Sequence, residues 1–181
     1  MPENTKTIPT AEEPWFVVTV KPQHELSAAA ALESKGIEKL APTYVTRRRW
    51  TDRVKKLTLP LFPGYVFCRG PVQARGSILC TPGVRGFVSF GRGPEPVPQN
   101  EISAILRLAS SGQPLEPQAY LRTGERVRVV DGPLRGLQGT LIECEGRARV
   151  AVGIEMLQRS VSVEIDRAVL EPLTPITAFI K

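Results

Sequence analysis

The chain has 181 residues, 41% of them apolar, and a formal net charge of +6; this is enough for one ordinary domain, or for a medium domain and a small companion. The positive balance suits an anionic partner without identifying it. One histidine, His24, and three cysteines with no Cys-x-x-Cys pair (Cys68, Cys80, Cys144) argue against triad chemistry, a zinc site and a disulfide framework.

Residues 1–13 are polar and carry prolines, with no apolar h-region, so they read as a disordered leader and not as a signal peptide. No run of roughly 18 apolar residues occurs, so no membrane-spanning helix is expected and the chain reads as cytoplasmic. Trp15 to Val20 is dense in β-branched and aromatic residues and predicts a strand, stopped by Pro22. Glu25 to Lys35 predicts a helix with Leu26, Ala29, Ala30 and Leu32 on its apolar face and Gly36 as its stop. Ala41 to Thr46 predicts a second strand leading into Arg47-Arg48-Arg49-Trp50-Thr51-Asp52-Arg53-Val54-Lys55-Lys56. That stretch carries too much charge for a buried face and reads as an exposed hairpin or long loop.

Tyr65 to Cys68 predicts a strand, Gln73 to Leu79 a short helix, and Phe87 to Phe90 a strand before the turn Gly91-Arg92-Gly93-Pro94. Asn100 can cap a helix that buries Ile102, Ile105, Leu106 and Ala109 and ends at Gly112. Helices alternating with short strands, without a continuous βαβ repeat, suggest an α+β domain over residues 14–111 with helices packed on its sheet. Residues 112–123 hold two prolines and no period, and predict a linker. Beyond it Val127–Val130, Gly139–Ile142, Arg147–Ile154 and Ser160–Ile165 alternate between tight turns, which predicts a small all-β barrel over 124–173 and a tail over 174–181. No cofactor or metal is expected, since Asp52, Asp131 and Asp166 form no metal-ligand spacing and no Gly-rich loop leads into a Lys-Ser/Thr helix.

Val127-x-Val129-x-Asp131-Gly132-Pro133-Leu134-x-Gly136-Leu137-x-Gly139 has the spacing of the KOW motif. Upstream come Trp15-Phe16 with Lys21-Pro22, then Pro60-Leu61-Phe62-Pro63-Gly64-Tyr65-Val66-Phe67, then Thr81-Pro82-Gly83-Val84. In that order, over residues 14 to 172, the chain resembles the NusG family of transcription elongation factors. The resemblance implies an NGN-like domain, an antiparallel sheet flanked by helices, followed by an SH3-like KOW barrel, in a non-enzymatic and monomeric protein.

It also implies that the first domain grips the clamp helices of bacterial RNA polymerase in an apolar depression matched here by Leu61, Phe62, Pro63, Tyr65, Phe90 and Ile105. Taken blind, Phe62 and Tyr65 would be core residues. Arg47, Arg48, Arg49 and Arg53, with Lys21 and His24 as neighbours, match the side that touches the non-template DNA strand or an RNA hairpin, where Trp50 could stack on a base. Met156, Leu157, Gln158 and Arg159 match a loop that contacts a small-subunit ribosomal protein or Rho. The family usually carries a Phe and a Gly where this chain has Leu157 and Gln158. Arg49 to Arg53 and Leu157 to Asp166 are similar to the specialised UpxY and LoaP paralogues, which suppress premature termination on long operons. A ribosome- or RNA-binding KOW module without polymerase contact is the alternative.

Overall fold

The computed structural model describes residues 13–49, 54–91, 93–119, 124–144 and 146–173. The expected leader, apart from Glu13, and the expected tail lie outside them. Contacts divide the chain into two compact units, residues 1–99 and 100–181.

In the first unit β1 (Trp15–Val20) is followed by α1 (Glu25–Ser34), β2 (Glu38–Leu40), β3 (Thr43–Arg49), β4 (Val54–Pro60) and β5 (Tyr65–Arg69). A 3-10 turn at Val72–Ala74 then runs into α2 (Arg75–Leu79), β6 (Val84–Phe87) and β7 (Pro96–Val97). The sheet runs β2-β5-β1-β6, with β7 also pairing β1, and its pairings are antiparallel. Strand β1 is therefore central. Phe16, Val18 and Val20 turn to one face, where they meet Ala28, Ala29 and Leu32 of α1 and Ile78 of α2. Trp15, Val17 and Thr19 turn to the other, as strand alternation requires. Strands β3 and β4 form a separate two-stranded ribbon.

Helix α1 turns a different face inward from the one its apolar residues suggest. Glu25, Ala28, Ala29 and Leu32 are buried, whereas Leu26 is 49% exposed. The spacing i, i+3, i+4, i+7 holds, but its first member is a carboxylate, which a search for apolar residues passes over.

The second unit begins with α3 (Gln99–Ser110), whose buried residues are Ile102, Ile105 and Leu108; Leu106 and Ala109, expected inside, are exposed. Strands β8 (Leu115–Ala119), β9 (Arg126–Val129), β10 (Gln138–Cys144), β11 (Arg147–Ile154), β12 (Arg159–Glu164) and β13 (Leu170–Pro172) follow. They form one sheet in the order β13-β9-β10-β11-β12-β8, the all-β barrel-type unit expected from the alternation. Strand β8 corrects the expectation that residues 112–123 lack regular structure. Five of those residues pair with β12, from Leu115 opposite Val163 to Ala119 opposite Arg159. Glu116 is held 2.5 Å from the Arg149 guanidinium, which pulls its carboxyl below the ordinary range. Pro117 suits such an edge strand because it has no N–H to offer on the ladder.

Cys68 and Cys80 are free, and burial pushes the Cys68 thiol up to about 12, so it stays protonated and acts as core filler. Among the described residues no helix is long and apolar enough to cross a membrane.

Strands β10 and β11 approach tightly at Gly139, where a Cβ would come 2.5 Å from the Ala151 carbonyl oxygen and 2.6 Å from a Val150 methyl. Backbone cannot yield there as a flexible side chain could. Gly139→Ala should therefore cost about 1–3 kcal/mol, and an unchanged thermal midpoint would show that the strands do not cross this closely.

Candidate functional site

The proline-flanked segment Pro60 to Tyr65 leaves β4, turns and enters β5. Leu61 and Phe62 are 2% and 1% exposed. The Phe62 ring meets Phe67 edge-on, with centroids 5.1 Å apart at 85°, the geometry that aromatic quadrupoles favour. Ile105, on α3, is 1% exposed. These three residues, expected from the resemblance on the polymerase-gripping surface, are core residues in this structure. Burial of a large ring on a closed sheet face outweighs the prolines, which merely allow a strand edge to be open.

The remaining members are accessible. Pro63 is exposed and Tyr65 half-buried, while Phe90 is 64% exposed in a turn closed by the Ser89–Pro94 bridge and the Glu95 N–H to Val88 carbonyl bond. Tyr65 lies directly opposite Thr19, and Thr19 lies opposite Gly86, so the three occupy one row across β5, β1 and β6. The Thr19 hydroxyl donates to the Gly86 carbonyl at 3.1 Å, and nothing lies within 4 Å of where a Gly86 Cβ would stand. The row is thus a shallow floor of one small residue and one internally satisfied hydroxyl, with a tyrosine as its side. Gly86 was not singled out from the sequence as part of an apolar grip. Strand register alone reveals its place beside Thr19, since a glycine carries no apolar signal.

The basic stretch forms an antiparallel ribbon in which Arg47 lies opposite Lys56, Arg48 opposite Lys55 and Arg49 opposite Val54. The register thus pairs one cationic residue type with another on two successive rungs. Trp50 and Arg53 lie outside the described residues. Lys21 and His24 are exposed and sit together beside the turn at Gly83. The Lys21 N–H donates to the Gly83 carbonyl at 2.8 Å, and a Cβ on Gly83 would lie 3.1 Å from that of His24.

In the barrel, Glu155 to Leu157 form a 3-10 turn between β11 and β12. Leu157 is 7% exposed, which corrects its expected place in a partner-binding tip. Met156 is half-buried, and Gln158 and Arg159 are exposed. Gln158 adopts the left-handed conformation at φ 51°, the region in which glycine is least strained. Its side-chain amide donates to the Glu155 carbonyl at 2.7 Å and ties down the turn. Phe62→Ala should lower the unfolding free energy by about 3–5 kcal/mol, read from the denaturant midpoint, and Tyr65→Ala by much less; equal effects would contradict the inward–outward split of the two rings.

The family model described as "Transcription termination factor nusG" matches residues 13–106. The protein of Thermus thermophilus named "Transcription termination/antitermination protein NusG" is 33% identical over 150 residues, covering 76% of this chain and 82% of the relative. The Pseudomonas aeruginosa protein of the same name is 31% identical over 147 residues, covering 78% of this chain and 83% of its own length. A solved structure described as "Domain interaction in Thermotoga maritima NusG" is 26% identical, with a TM-score of 0.50, covering 90% of this chain and 98% of its own. A matched model over more than half the chain, and relatives of this identity along most of it, mean that the chain belongs to the NusG family.

Proposed function

We propose that this protein is a transcription elongation and antitermination factor that holds RNA polymerase through its first unit, suppresses pausing and termination, and engages a second partner through its barrel. Family membership supports the process, since the relatives carry termination and antitermination in their names. The observation that carries the contact is the half-open row of Tyr65, Thr19 and Gly86 on the sheet, with Pro63 and Phe90 accessible. A helix from a partner needs an apolar recess and a few aromatic anchors, each worth about 2 kcal/mol or more when fully desolvated. Tyr65 and Phe90 are such anchors, and Gly86 leaves room for the visitor's side chain. A factor of this kind acts by preferring one state of the polymerase, and shifts pausing only as far as its affinities for the two states differ.

The cation-on-cation rungs of the β3–β4 ribbon support contact with the non-template DNA strand or an RNA hairpin, since phosphates would relieve the repulsion and release counterions. The accessible Gln158–Arg159 tip is the part of the barrel's partner loop left for a ribosomal protein or Rho. Unlike the residues usual in the family, Leu157 and Gln158 support a partner preference of the specialised, operon-restricted kind.

In vitro transcription across pause sites and terminators should show more read-through with the protein than without it. Gly86→Phe puts a ring on the row, with open space around the new Cβ, and it and Tyr65→Asp should each abolish most of that effect at an unchanged thermal midpoint. Full activity of both variants would remove the polymerase contact from this row, and no read-through with the parent protein would leave the KOW module without polymerase contact as the better reading.

The ribbon has its own test. Arg47→Glu with Arg48→Glu turns two repulsive rungs into Glu–Lys pairs, so the hairpin gains stability while salt-sensitive binding to single-stranded DNA or an RNA hairpin is lost. Unchanged binding would remove nucleic acid from the ribbon's role.

A further inference from the structure

Between Phe62 and Val66, both sealed in the core at 1% and 0% exposure, the chain bulges outward through Pro63, Gly64 and Tyr65. Pro63 is exposed, Gly64 and Tyr65 are half-buried, and no atom lies within 4 Å of a would-be Gly64 Cβ. No large apolar side chain of the turn is sealed inside, so hydrogen bonds must set its shape. The Tyr65 N–H donates to the Phe62 carbonyl at 3.1 Å and closes the turn. The Gly64 carbonyl accepts from the Val20 N–H at 2.9 Å, just past the last rung of β1 on β5, where Thr19 faces Tyr65. The remaining group, the Gly64 N–H, reaches a side chain from a distant part of the sequence. It donates to Glu25 Oε1 at 2.8 Å.

Glu25 is 5% exposed and opens α1, on the inner face with Ala28, Ala29 and Leu32. A carboxylate is tolerated there because the helix N-terminus favours negative charge. Its reach is set by its length, with a two-carbon stem carrying the oxygen from the helix to the turn. Gly64 takes φ +83°, a conformation that other residues rarely adopt. The turn is therefore held at three points, on the sheet, on its own Phe62 and on the helix.

We infer that Glu25 is a positioning residue for partner binding: from beneath, it fixes the Pro63–Gly64–Tyr65 turn and so the angle at which Tyr65 stands beside the Thr19–Gly86 floor. The inference rests on the reading of that floor as the polymerase contact. Glu25 itself, being buried, touches no partner. What it supplies is pre-organisation, so that the cost of ordering the turn is met on folding and not on binding.

The test separates reach from charge. Glu25→Asp keeps the carboxylate at the helix N-terminus but withdraws it by one methylene, so the helix folds and the bond to Gly64 is lost. Glu25→Gln removes the charge but leaves an acceptor oxygen at the same distance. In the full chain, Glu25→Asp should weaken polymerase binding about tenfold and speed amide exchange at Gly64, with exchange in α1 and β5 unchanged. Glu25→Gln should bind within about threefold of the parent and keep the Gly64 amide protected. Parent-like binding by Glu25→Asp, or equal losses in the two variants, would overturn the inference. Tyr65→Asp serves as the control. If it binds polymerase normally the contact reading fails, and selective exposure of the Gly64 amide in Glu25→Asp then still reports whether the turn is held as described.

Discussion

The first unit depends on one constraint: β1 is enclosed on both edges and on almost all of both faces. Its edges are taken by β5 on one side and by β6 and β7 on the other. Val17 and Val18, successive residues pointing opposite ways, are both 0% exposed. A strand in that position admits no polar residue without a partner and no slip of register, since a one-residue shift would exchange its two buried sets. The only residue of β1 that is not buried is Thr19, and its hydroxyl is spent on the Gly86 carbonyl. The opening toward solvent on that face therefore lies at Thr19, which is only half-buried, as are its neighbours Tyr65 and Gly86 on the adjoining strands.

That opening explains the separate duties of the two rings in the proline-flanked segment. Phe62 lies against Phe67 and belongs to the core, and Tyr65, three residues on, emerges beside Thr19. The intervening turn is too short and too exposed to be held by packing, so polar tethers hold it, one of them from a helix that precedes it by some forty positions. The barrel is organised by comparable local devices. Gly139 allows two strands to approach until no Cβ fits, and β8 covers the edge of β12, leaving a proline-bearing strand outermost. Such an edge resists further strand addition.

Much of this was legible in the chain. The central strand, the barrel strands and the bounds of α1 follow from period and punctuation, and the ordered segments Trp15-Phe16, Pro60 to Tyr65 and the Gly-spaced motif around Asp131 were sufficient to suggest the family. The structure holds an α+β unit followed by a second unit whose strands form one all-antiparallel sheet. The errors have two causes. Leu26 was placed inside and Glu25 left out, and Leu106 and Ala109 were preferred to Leu108, because hydropathy identifies an apolar residue but not which neighbour comes to cover it. Phe62, Ile105 and Leu157 were placed at surfaces by the family resemblance, although residue type alone reads Phe62 as core and the helical period buries Ile105. Strand β8 was passed over for a related reason, as Leu-Glu-Pro-Gln-Ala has no period of its own and becomes a strand only when β12 offers its edge.

Sequence alone thus determined where the backbone repeats, where it must turn, and that two units of different texture follow one another, because those properties depend on residues a few positions apart. Only the tertiary structure decided which faces close and which stay open. It put Thr19 in one partly exposed row with Tyr65 and Gly86, sealed Phe62, and joined Glu25 to the Gly64 amide. Each of these depends on groups brought together from distant positions, and the free energy of burial or of a hydrogen bond exists only once both partners are in place.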